Sequence, residues 1–90
     1  MNNQPQTHAE KNLELTARIH NAAKVLTANS ATKKHVKFII VLWSQEVGNL
    51  NKNEINGILT REAYQAAFFR ETARCWQRLE SLAEYHGVAL

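Results

Sequence analysis

The strongest constraint on the fold is a set of apolar residues in the middle of the chain that repeats with the period of an α-helix. Its members are Val36, Ile39, Ile40, Trp43, Val47 and Leu50. Spacing of i, i+3, i+4 and i+7 puts such residues on one helix face and predicts a helix over residues 31–49. Phe38, Val41 and Leu42 fall on its other sides. A helix that is apolar nearly all round is expected to be buried on more than one face.

A buried β-strand is the alternative for residues 38–43, because this segment is short and rich in β-branched side chains. The chain offers no second strand with turn signals to pair with it, which favours the helix. Trp43 lies at the centre of the apolar face of this helix, so we expect the indole to be buried.

Helices are predicted on both sides of this segment. Thr7 and Glu10 match a capping box, and a helical apolar pattern follows to Leu26, which predicts a first helix over 8–28. The dipeptide at 29–30 offers both its stop and the next N-cap. Thr60 is expected to cap a third helix that runs to His86 and ends at Gly87.

The third helix has an apolar arc of about 140°. The arc comprises Tyr64, Phe68, Phe69, Cys75, Trp76, Leu79, Leu82 and Ala83. Trp76 is central in this arc and is expected to be buried. Arg70, Arg74 and Arg78 lie on the opposite side.

A polar break separates the second helix from the third. Residues 48–57 are rich in asparagine and glycine, which form loops and caps, and a short helical turn over 52–57 with Asn51 as its cap fits this segment. A helix-turn-helix over 51–70 is an alternative, weakened because only Ile55 would face inward from its first helix.

The predicted fold is all-α, a small three-helix bundle with or without one additional short helix. It forms a single domain over 7–87, with a disordered lead-in at 1–6 and a tail at 88–90.

Composition excludes several classes of protein. The longest apolar run, Phe38 to Trp43, is far shorter than the roughly 20 residues that span a bilayer, and the N-terminus lacks the pattern of a signal peptide. Cys75 is the only cysteine, so no intrachain disulfide forms and a reducing cytoplasm is expected. The net charge of +3 is concentrated in residues 1–40, which carry six Lys and Arg against two Glu. This balance permits an anionic partner without requiring one.

No catalytic or metal-binding motif is present, so we expect a protein that is not an enzyme and needs no cofactor. The glycines are isolated, and no HExxH, CxxC or His-x3-His pair occurs. Cys75 lies on the apolar arc and is interpreted as a core residue. His8 and His86 lie beside the first and last helix caps, and His20 and His35 lack a companion at helical spacing. We interpret all four histidines as structural or surface residues.

Two surfaces are candidates for binding. Phe38, Val41 and Leu42 would form an exposed apolar patch if neighbouring helices cover only one face of the second helix. Such a patch indicates a protein partner or a homodimer. The alternative is that the second helix is central, covered by the first and the third.

The second candidate surface is basic. Its members are Lys33, Lys34, Lys37, Arg70, Arg74 and Arg78. It would suit a nucleic acid through its phosphates, or it is an ordinary solvated face. Glu71 is spaced to reach Arg74. A third interpretation joins these two hypotheses: a small inhibitor that occupies a groove of a larger nucleoprotein complex by surface mimicry.

Overall fold

The computed structural model describes residues 7–90 and contains three helices, α1 (His8–Ala28), α2 (Lys33–Ile55) and α3 (Arg61–His86), with no strand in that range. The prediction of an all-α three-helix bundle is confirmed. The strand alternative for residues 38–43 is excluded, because the segment lies inside α2. The lead-in expected at 1–6 lies outside the described residues.

Local signals fix both ends of α3 and the start of α1, as predicted. The Thr7 hydroxyl accepts a hydrogen bond from the Glu10 N–H at 3.2 Å, and the Thr60 hydroxyl accepts one from the Ala63 N–H at 3.1 Å. Each bond satisfies a backbone donor that has no partner within its helix. Gly87 ends α3 in the left-handed conformation at a φ of 66°, which a residue without Cβ adopts at no steric cost.

The predicted start of α2 at residue 31 is wrong by two residues. Asn29 ends α1, and its side-chain carbonyl accepts a hydrogen bond from the Ala31 N–H at 2.9 Å. The Thr32 hydroxyl donates to the Leu26 carbonyl and is fully buried. These bonds hold residues 29–32 in a turn, so Lys33 is the first helical residue of α2.

The separate short helix over 52–57 is not formed, because α2 continues without a break to Ile55. Contacts with α3 stabilise these last turns. The Tyr64 hydroxyl donates to the Asn51 side chain, and Arg61 pairs with Glu54 at 2.7 Å. The helix-turn-helix alternative is therefore also wrong.

The central helix is α3, not α2. Its interfaces with α1 and with α2 are both much larger than the interface between α1 and α2. The bonds Trp43–Thr72 and Asn51–Tyr64 show that α2 runs antiparallel to α3. The chain therefore runs up along α1, down along α2 and up along α3.

The core lies where the C-terminal half of α1, the start of α2 and the C-terminal half of α3 meet. Its buried residues are Ile19, Ala22, Leu26, Val36, Cys75, Leu79 and Ala83. Val88 packs against this cluster from beyond the end of α3. The prediction that Trp43 and Trp76 are buried is wrong, since both are half-buried at the margin of the core.

The helices diverge away from this core. The molecule measures 41 × 39 × 16 Å between Cα atoms. Three closely packed, aligned helices at 8–10 Å spacing would measure only roughly 14 Å in both directions across their axes. The second dimension, 39 Å, is therefore the one that shows the divergence. Only Val36 of α2 is buried, although this helix contains the longest apolar run of the chain. The fold therefore leaves three large apolar side chains of α2 largely exposed, Phe38, Val41 and Ile55.

Candidate functional site

A groove of about 460 Å³ lies between the first turns of α2 and the C-terminal half of α3. We call it the α2–α3 groove. It is lined by His35, Phe38 and Ile39 of α2 and by Arg74, Gln77, Arg78, Ser81 and Leu82 of α3. Side chains from two packed helices line this groove, which is shallow and open to solvent.

The floor of the groove is apolar. Ile39 and Leu82 are half-buried and pack against the core cluster. Phe38 stands beside them with 65% of its surface exposed. The Phe38 ring therefore extends the apolar surface of the floor towards solvent.

The rim of the groove is cationic. The side chains of Arg74 and Arg78 are both exposed. Arg74 contacts Glu71 at 3.5 Å, which confirms the predicted i, i+3 pair. The other ion pair found between described residues joins Glu54 to Arg61, so Arg78 takes part in neither.

Cys75 lies on α3 between Arg74 and Arg78 in sequence, and its thiol is buried. Burial raises the pKa of the thiol from 9.0 to about 11, and the charge of Arg78 opposes this shift only in part. A thiol with this pKa is protonated near neutral pH and is a poor nucleophile. The interpretation of Cys75 as a core residue is confirmed.

Residues that the sequence assigned to two separate surfaces meet in this groove. Phe38 comes from the predicted protein interface, and Arg74 and Arg78 come from the predicted basic surface. Val41 is 52% exposed one turn further along α2, and Leu42 is half-buried.

The remaining basic residues lie outside the groove. They are Lys33, Lys34, Lys37 and Arg70, all exposed. The three lysines occupy the first turns of α2, close to the end of the groove formed by His35. They extend its positive charge without lining it.

Sequence reasoning missed one pair of histidines. The rings of His35 and His86 lie 6.4 Å apart between centroids, where the start of α2 meets the end of α3. Their separation along the chain gives no periodic signal, so only the antiparallel packing of two helices reveals the pair. His35 brings this pair to the end of the groove.

A buried asparagine was also missed. Asn12 on α1 donates through Nδ2 to the main-chain and side-chain oxygens of Gln65, both at 3.3 Å. Its own oxygen is buried and accepts no hydrogen bond in the described part of the chain. This residue fixes α1 on α3 far from the groove.

Within residues 7–90, no group of three or more His, Cys, Asp and Glu side chains is arranged to hold a metal ion. In the same residues, no helix has the length and apolar character needed to cross a membrane. The α2–α3 groove offers an apolar floor, a cationic rim and hydrogen-bonding groups from Gln77 and Ser81. This arrangement can bind a ligand that is both apolar and anionic.

Comparison with known proteins found no matching family model, and no curated protein or solved structure with significant similarity.

Proposed function

We propose that this chain is a non-enzymatic binding module that holds a protein partner in the α2–α3 groove. The observation that carries the proposal is the exposure of Phe38 beside an apolar floor that is continuous with the core. Aromatic and arginine side chains dominate the energetics of protein interfaces, and Phe38, Arg74 and Arg78 lie together here. The preformed shape of the groove lowers the entropy cost of binding.

The chemistry of the groove also supports binding rather than catalysis. His35 and Ser81 both line it, yet no hydrogen bond joins them or orients either one in the described range. A nucleophile and its base need such a contact, held by a third group. Cys75, the other nucleophilic side chain nearby, is buried and protonated.

Affinity capture from the native host, with quantitative identification of the bound proteins, tests this proposal. Phe38→Asp places a charge beside the apolar floor of the groove, and the specific partner should no longer be captured. Leu13→Asp is the matched control, because Leu13 is 76% exposed on α1 and lies outside the groove. Far-ultraviolet circular dichroism verifies that both variants fold. Retention of every partner by Phe38→Asp would show that the groove is not the binding site.

Nucleic-acid binding is a second candidate, supported by the unpaired charges at the start of α2. Lys33, Lys34 and Lys37 take part in neither of the ion pairs found among the described residues. Phosphate contacts by these lysines would give binding that weakens steeply with salt. A mobility-shift experiment at low salt, with all three lysines changed to Gln, tests this. Unchanged binding in the triple variant, or no binding by the wild type, removes the candidate.

A further inference from the structure

We infer that the occupant of the α2–α3 groove is an acidic amphipathic helix of the partner protein. One apolar side chain of that helix packs against Phe38, Ile39 and Leu82, and two of its carboxylates pair with Arg74 and Arg78. This inference rests on the proposed function, because it names the chemistry of the partner at the same groove.

Charge complementarity is the first argument. The groove is lined by Arg74, Arg78 and His35 and by no acidic side chain. On α3, Glu71 contacts Arg74 at 3.5 Å. Glu80 lines a different groove, between α1 and α3. Glu71 compensates Arg74 in part, whereas Arg78 takes part in neither of the ion pairs found between described residues. An anionic partner therefore meets uncompensated positive charge at Arg78.

The spacing of the arginines is the second argument. Arg74 and Arg78 are four residues apart on one helix, so they lie about 6 Å apart along its axis. Carboxylates at i and i+4 of a partner helix lying along α3 have the same spacing. The groove itself extends along α3 from Arg74 to Leu82, which is about two helical turns. Helix-in-groove recognition uses apolar anchors at this spacing.

Other occupants fit less well. A nucleic-acid duplex, whose bases are stacked inside the helix, would satisfy the arginines but would leave the apolar floor and Phe38 without a partner. A second copy of the chain would pair this surface with itself in a two-fold dimer. Such a dimer would bring the positive charges of Lys34, Lys37 and Arg78 from both copies to one interface, which disfavours association.

Fluorescence anisotropy with two synthetic peptides tests the inference. Both are alanine-rich helices of about 18 residues, long enough to be helical alone, with identical leucines along one face. One carries Glu and the other Lys at the i and i+4 positions that flank the leucines. We expect the Glu peptide to bind wild-type protein at least about tenfold more tightly than the Lys peptide. Raising the salt from about 50 to 300 mM should weaken only the Glu peptide.

Three variants locate the binding. Changing both Arg74 and Arg78 to Gln should weaken the Glu peptide about tenfold, as expected for losing two rim ion pairs. Arg70→Gln is the matched control, since Arg70 belongs to the same row but lies outside the groove, and it should change affinity by less than about twofold. Phe38→Ala should weaken both peptides.

Each remaining outcome separates the inference from the proposed function. Equal binding of the two peptides that is lost in Phe38→Ala overturns the acidic partner and leaves a protein-binding groove. Binding of neither peptide overturns the inference, while affinity capture with Phe38→Asp still tests the proposed function. Duplex DNA that binds more tightly than the Glu peptide, and loses this binding when Arg74 and Arg78 are changed to Gln, overturns the inference in favour of nucleic acid. A concentration-dependent dimer dissociated by Phe38→Asp assigns the groove to a second copy.

Discussion

Helices α2 and α3 contrast sharply in how they use their apolar residues. The more apolar helix is the less buried one, because α2 contributes only Val36 to the buried residues. The α3 helix carries an exposed row of arginines, yet it contributes five buried residues: Ala67, Thr72, Cys75, Leu79 and Ala83. The α3 helix is more buried because it lies between α1 and α2. Apolar content does not decide which helix is buried in this fold. The apolar side chains that the fold leaves uncovered on α2 are then available to a partner.

The largest expected effect is the loss of a core side chain from α3. Leu79 is fully buried, so Leu79→Ala should lower the free energy of unfolding by about 3 kcal/mol through lost burial and a new cavity. Phe38→Ala on α2 should change it by no more than about 0.5 kcal/mol, because the ring is largely exposed. Urea denaturation of both variants measures the difference. Equal losses would mean that the uncovered face of α2 contributes to folding.

A smaller effect is expected at the contact between α2 and α3. The Trp43 indole N–H donates to the buried Thr72 hydroxyl at 3.1 Å, and Trp43→Phe removes this bond. The expected loss is about 1–2 kcal/mol. Trp76→Phe is the control, since this half-buried indole forms no hydrogen bond to another described residue. If both tryptophan variants lose the same stability in urea, the hydrogen bond contributes nothing to the packing of α2 on α3.

Two glycines should respond in opposite directions. Gly48 lies inside α2 with nothing within 4 Å of an added Cβ, so Gly48→Ala should stabilise the protein by about 0.5–1 kcal/mol. Gly87 has a φ of 66° at the end of α3, and Gly87→Ala should destabilise by roughly 1 kcal/mol. Thermal melts of the two variants provide the comparison. A lower melting temperature for Gly48→Ala would show that an unseen contact covers this position.

The smallest expected effect concerns the arginine row of α3. Changing Arg70, Arg74 and Arg78 together to Gln preserves helix propensity and removes repulsion between like charges. All three side chains are exposed, so the free energy of unfolding should stay within about 1 kcal/mol of wild type. Differential scanning calorimetry is sensitive enough to show this. Unfolding of the triple variant would mean that the row is part of the packed structure.

Sequence reasoning succeeded wherever a few neighbouring residues decide the conformation. Thr7, Thr60 and Gly87 act on backbone groups within their own helix ends, so their roles could be read from their positions. It failed at residues 51–55, where asparagines favour a break but α2 continues. The contacts of Tyr64 with Asn51 and of Arg61 with Glu54 overcome that preference, and both depend on the packing of α3.

The candidate site was predictable only as separate parts. The periodicity of α2 singled out Phe38, and the spacing along α3 singled out Arg74 and Arg78, but no local pattern shows that they share one groove. Their proximity follows from the antiparallel packing of α2 on α3. The same packing leaves the Trp43 side chain half-buried, whereas the sequence predicted that it would be buried. Helical periodicity identifies which face of a helix is apolar, but not how much of that face a neighbour covers.

The small interface between α1 and α2 determines how the molecule opens. Each of these helices depends mainly on α3 for its contacts, and the core joins only the C-terminal half of α1 and the start of α2 to it. We therefore expect the other half of either helix to separate from α3 while the core stays packed. Backbone amides in the N-terminal half of α1 and in the C-terminal half of α2 should therefore exchange with solvent deuterium through two independent local openings. Amides around Cys75 and Leu79 lie in the core, and we expect them to exchange only when the whole domain unfolds.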